Sequence, residues 1–99
     1  MRFVAEAILP GYLEALQRAV DDVVARLPSD DTRETLLRLR RRLGHGDSAG
    51  RFESLQRLVT IGEAQGWLTD DEAITIRKLA YRCAFYIRRA EAEEPDRNL

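Results

Sequence analysis

Six aliphatic residues in the first third of the chain, Leu9, Leu13, Leu16, Val20, Val23 and Leu27, recur at steps of four, three, four, three and four. That rhythm returns to one side of a helix of about 3.6 residues per turn, whereas a half-buried strand needs alternation. No window of the chain alternates apolar and polar residues cleanly, and helical spacing dominates throughout. The chain is therefore expected to be all-α.

Punctuation along the sequence divides it into four helices. Pro10 is expected in the first turn of the first helix, where a missing amide costs least. Residues 2–8 are then a short preceding helical turn carrying Phe3, Val4 and Ile8, and Pro28 ends the main helix. Its seam is read as internal core. A coiled-coil dimer face is the alternative, for which the run is short.

Asp31 followed by Glu34 has the spacing of a helix cap, with Ser29 as a rival. The second helix runs to about Leu43, with Leu36, Leu39 and Leu43 as its stripe. Gly44 fits the left-handed position just past a helix end. The stretch GHGDSAG is a loop by composition.

The third helix carries Phe52, Leu55, Leu58, Val59 and Gly62 on one side. Gly62 implies close approach of a neighbouring helix or a weak point. Gly66 ends it, and Trp67 and Leu68 are expected to fold back onto the core. Thr69 and Glu72 form a reciprocal capping pair, and the fourth helix runs from there to about Ala92. The fold expected is a compact four-helix bundle-like domain over residues 1–92, with a flexible acidic tail at 93–99.

Ninety-nine residues make one small domain with a thin stability margin, so help from a partner or a second copy is plausible. Composition, 44% apolar and 33% charged, suits neither general disorder nor a membrane protein. The net charge of −1 hides segregation: residues 33–58 hold seven Arg against three acids, and residues 77–90 hold four Arg and Lys78 with no acid. Cys83 is alone and cannot form an internal disulfide. No apolar run approaches the roughly 18 residues of a membrane span. A cytoplasmic location is expected.

On the last helix, with about 100° between successive residues, Ile76, Leu79, Ala80, Cys83 and Ile87 share one sector, bordered by Tyr86. That sector is the core stripe. Ile74, Tyr81 and Phe85 fall on roughly the opposite side, among Arg77, Lys78, Arg82, Arg88 and Arg89. Two readings compete. Either the helix is central and buried on two sides with its arginines reaching outward, or the second face is a contact surface of the aromatic-and-arginine kind that interfaces favour. The second is adopted, with a protein partner or another copy of the chain as the occupant. A nucleic-acid partner is the alternative, held by Arg38, Arg40, Arg41, Arg42, Arg51 and Arg57 together with the arginines of residues 77–89. Glu91, Glu93 and Glu94 would repel a phosphate backbone.

Catalytic machinery is sparse. Nucleophilic or acid–base chemistry needs positioned pairs, and the chain has one His and one Cys, far apart in sequence. Neither a phosphate-binding glycine motif nor zinc-ligand spacing is present, so no metal or cofactor is expected. Asp21–Asp22 and Asp70–Asp71 read as solvated helix surface or helix starts.

Arg40 and His45 are separated by four residues, and Arg38 and His45 by six. This resembles the Arg-x(4–6)-His signature of HEPN-type ribonucleases, small all-helical proteins, over those residues alone. The resemblance implies RNA cleavage dependent on His45. The chain departs from the family pattern in that Arg41, not a polar residue such as Asn, follows Arg40. His45 also lies between glycines in mid-chain, and the last helix, where the family places its motif, has no His. The alternative reading of the same residues is a set of cations at a helix C-terminus, favoured by the helix dipole. The chain is expected to be noncatalytic.

Overall fold

A computed structural model describes residues 2–46 and 49–92 of the chain, with side chains from residue 7 onward. It contains four helices, α1 (Arg2–Arg26), α2 (Asp31–Arg42), α3 (Ala49–Gln65) and α4 (Asp70–Ala92), and all regular structure among the described residues is helical. The expected tail at 93–99 lies outside the described residues, as do the side chains of Phe3 and Val4.

The bundle has α4 packed on both α1 and α3, while α2 packs on α1 and borders α3. Cross-helix contacts fix the directions. Arg26 meets Glu72 and Tyr12 stacks on Tyr86, so α1 and α4 run antiparallel. Glu63 meets Arg77 and Glu53 meets Arg88, so α3 and α4 do too. Arg40 meets Asp21 and the Gln17 amide donates to the Leu43 carbonyl at 3.1 Å, which sets α2 antiparallel to α1.

The α1 seam is internal core: Leu16, Val20, Val23 and Leu27 are buried, with Leu9 and Leu13 packed against them. Leu36 and Leu43 of the second helix, Phe52, Leu55 and Val59 of the third, and Ile76, Ala80, Cys83 and Ile87 of the fourth close the core from the other sides. Burying such a side chain stabilises by about 1.5–3 kcal/mol. Here that gain follows from the spacing of the aliphatics rather than from helix propensity.

The start of α1 corrects the sequence expectation. The helix is continuous from Arg2, with Pro10 inside it rather than at its first turn. A proline in a helix interior forfeits one amide bond and crowds the preceding turn, a cost of about 3 kcal/mol. Pro10 is exposed, while Leu9 and Leu13 on either side pack on the core and Tyr12 stacks on Tyr86. Tertiary contacts on both sides of the proline thus hold the helix through it.

The cap of α2 also differs. Asp30, not Asp31 or Ser29, holds the N-cap position with extended backbone. Its carboxylate accepts from the Thr32 and Arg33 amides at 3.0 and 3.2 Å. Asp31 becomes the first helical residue, where its charge favours the dipole.

Gly44 takes φ +93° just after the second helix. Gly66 takes φ +82° after the third, and the Trp67 and Leu68 amides both donate back to the Gly62 carbonyl. That turn lays Trp67 and Leu68 over Gly62. A Cβ at Gly62 would stand 2.7 Å from Leu68 Cδ1 and 2.9 Å from Trp67 Cζ2. The close approach expected at Gly62 is therefore real, but it comes from the following turn and not from a neighbouring helix. The capping pair of α4 forms as expected, the Glu72 amide donating to Thr69 Oγ1 at 3.1 Å and the Thr69 amide to Glu72 Oε1 at 2.9 Å.

Candidate interaction face on α4

Two helices flank α4, and the face between them remains open. Ile74, Tyr81 and Phe85 are 49%, 62% and 45% exposed, a large apolar exposure for one side of one helix. Spacings of seven and four place them in a line along the helix axis. Phe85 rests edge-on against Tyr86 at 5.2 Å between ring centroids, while Tyr81 projects outward. Tyr81 and Phe85, with Arg88 and Arg89, line a shallow depression of about 380 Å³.

The basic residues around this line are not equivalent. Arg77 bonds to Glu63 at 2.6 Å and to Thr60 Oγ1 at 3.2 Å, both on α3. Arg88 pairs with Glu53 on the same helix. On the opposite flank, Arg82 turns toward α1: it donates to the Tyr12 hydroxyl at 2.7 Å and lies 5.1 Å from the centre of the Tyr12 ring. These three guanidinium groups stitch α4 to its neighbours. Lys78 and Arg89 are exposed. The sequence placed all of these residues around Tyr81 and Phe85, but could not report that Arg77, Arg82 and Arg88 reach across to neighbouring helices.

The arginines of residues 38–57 are not equivalent either, although Arg42 and Arg51 border one groove between α2 and α3. Arg40 lies against Asp21 on α1, through two hydrogen bonds of 2.8 and 3.2 Å. Arg51 donates to the Arg42 and His45 carbonyls at 2.8 and 3.1 Å and so closes the glycine loop. Arg57 donates to Ser54 and borders the α3–α4 groove with Arg77. Arg38, Arg41 and Arg42 are exposed. His45 is exposed in its loop, and Cys83 is buried in the core.

One exposed apolar side chain, Ile61 on α3, escaped the sequence reading. It borders a groove with Leu58, Trp67 and residues of the α2 start, away from the α4 face. Its step of three from Leu58 was the available signal.

At the start of α4, on the side that faces α1, the Arg26 guanidinium bonded to Glu72, helped by the Thr69 amide, holds the Glu72 carboxyl below its ordinary value against the opposing effect of burial. No group of His, Cys, Asp or Glu among the described residues is arranged to hold a metal ion, and no described helix is long and apolar enough to cross a membrane. Comparison of the chain with protein-family models, with curated proteins and with solved structures gives no match.

Proposed function

We propose that this chain is a small, noncatalytic cytoplasmic interaction protein that docks a protein partner through the outer face of α4. One observation carries the reading: a helix already packed on two sides keeps Ile74, Tyr81 and Phe85 exposed in line. An isolated exposed apolar residue needs no explanation, but three large ones in line on one helix of a small domain are a reason to look for a contact surface. Tyr and Phe supply large rigid area at low entropic cost. The pairing of Arg77, Arg82 and Arg88 with groups of their own chain favours protein over nucleic acid, because those cations are already engaged.

The test is site-specific photo-crosslinking in cells. A photoreactive residue at position 81 or 85 should yield discrete protein adducts, and the same residue at exposed Arg18 on α1 should not. Equal adducts from both positions, or adducts to RNA alone, would overturn the reading.

A further inference from the structure

We infer that the occupant of the α4 face is a second copy of the chain, its α4 lying antiparallel across the first; this rests on the reading of that face as a docking surface. An interface related by a two-fold axis must be complementary to itself. The exposed side of α4 has that property along its whole length. Its first turn is acidic, with Asp70 and Asp71, its middle carries Ile74, Tyr81 and Phe85 beside Lys78, and its far end carries Arg88 and Arg89.

A two-fold axis crossing between Leu79 and Ala80 sets Ile74 opposite Phe85 of the second copy and Lys78 opposite Tyr81. Within one residue of the same centre, Asp71 stands opposite Arg89, and Asp70 opposite Arg88, whose guanidinium also holds Glu53 of its own chain. The angular positions agree. At about 100° per residue, Asp71 and Arg89 share one flank of the line, and Asp70 and Arg88 share its other side. In an antiparallel pair each flank meets its own counterpart, so these charges face their opposites. A parallel arrangement would put acid on acid and arginine on arginine. Arg77 and Arg82, which this register leaves without an acidic counterpart, are drawn aside to Glu63 and Tyr12. The opposed helix dipoles add to the same preference.

One helix face per copy makes a small contact, near the lower bound of about 1,200 Å² for stable assemblies. The dimer therefore dissociates on dilution.

Sedimentation velocity on the purified full chain, from micromolar to millimolar concentration, reads this directly. The expected result is a reversible monomer–dimer equilibrium. Phe85→Ala should abolish the dimer. Asp71→Arg and Arg89→Asp should each weaken it by about tenfold, since each reverses one partner in two symmetric pairs. The double variant should recover it. Both single changes put the wrong sign at a helix end and the double carries both penalties, so recovery reports pairing rather than folding. A wild-type chain that stays monomeric throughout, or a dimer that the single variants leave intact, would overturn the inference. So would a double variant that fails to recover. A monomeric chain that still gave protein adducts from position 81 in cells would leave the docking face standing with a different occupant.

Discussion

Arg26, in the last turn of α1, donates through Nε to Glu72 Oε2 at 2.8 Å, and through its terminal nitrogen to the Trp67 carbonyl at the same distance. One guanidinium thus joins the end of one helix, the turn before another and the capping carboxylate of that other. Glu72 serves two partners, because its Oε1 also accepts from the Thr69 amide. Thr69→Ala removes only the hydroxyl half of the cap and should cost about 1 kcal/mol in chemical denaturation.

Glu72→Gln separates the two duties of the carboxylate. A glutamine can still accept from the Thr69 amide, as capping boxes permit, but it loses the charge facing Arg26. The pair is partly exposed, so the loss should stay near about 0.2–1 kcal/mol. The pH dependence gives a sharper signature. The Glu72 carboxyl lies below its ordinary value in the folded chain, owing first to the hydrogen bond from Arg26. Its stabilising contribution is therefore complete above the unfolded carboxyl's range and is lost as pH falls through the folded value. Denaturation midpoints of wild type and Glu72→Gln should differ at neutral pH and converge in acid.

Much of the architecture was legible in the sequence for a specific reason. The step pattern from Leu9 to Leu27 and the Thr69–Glu72 pair are local signals, and local signals survive into the fold. What was not legible required a neighbour. Pro10 looked like a helix start because nothing in the sequence reports that Tyr86 and the core hold the turns around it. Ala73 and Ala84 are buried on α4 although the core sector read from the sequence excluded them. Two flanking helices, not one, cover α4, and small residues admit the second. The division of the α4 arginines between Glu53, Glu63 and Tyr12 depends likewise on partners in other helices, fourteen or more residues away in sequence.

Gly62 makes a sign prediction. In an open helix interior, Gly→Ala stabilises by up to about 1 kcal/mol. At Gly62 the added methyl would collide with Leu68 and Trp67, whose turn is itself anchored to the Gly62 carbonyl. Gly62→Ala should instead destabilise by about 1–3 kcal/mol, as overpacking does. Gly66→Ala meets no atom but must hold φ +82°, a strain of about 1–2 kcal/mol. Trp67 fluorescence should distinguish them in the native state. It should shift for Gly62→Ala, where the ring is pushed aside, and stay unchanged for Gly66→Ala.

The Arg82–Tyr12 contact has two components that single substitutions can divide. Tyr12→Phe deletes the hydroxyl acceptor but keeps the ring beneath the guanidinium and its stack on Tyr86 at 5.8 Å. Arg82→Ala deletes both interactions with the cation. The contact is solvent-exposed, so the cation–π component should amount to about 0.5–1 kcal/mol. Tyr12→Phe should therefore be milder than Arg82→Ala, and in the Tyr12→Phe background Arg82→Ala should retain most of its cost. A double-mutant cycle by urea denaturation measures this.

Phe52 and Phe85 offer a comparison within one residue type. Phe52 is fully buried and among the largest side chains of the core, whereas Phe85 is 45% exposed and touches Tyr86 along one edge. Phe52→Ala should cost about 3–5 kcal/mol, a large part of the 5–15 kcal/mol or so that a domain of ordinary stability possesses. The variant should be partly unfolded at physiological temperature by circular dichroism. Phe85→Ala removes a half-buried ring and should cost less than Phe52→Ala, whereas Tyr81→Ala removes a side chain that projects outward and should fall within about 0.5 kcal/mol of wild type. These measurements belong at concentrations where the chain is monomeric, because a dimer contact through Phe85 would add a concentration-dependent increment to its apparent stability. If Tyr81→Ala in the monomer cost as much as Phe52→Ala, its ring would be part of the core, and the outer face of α4 would have no anchor to offer a partner.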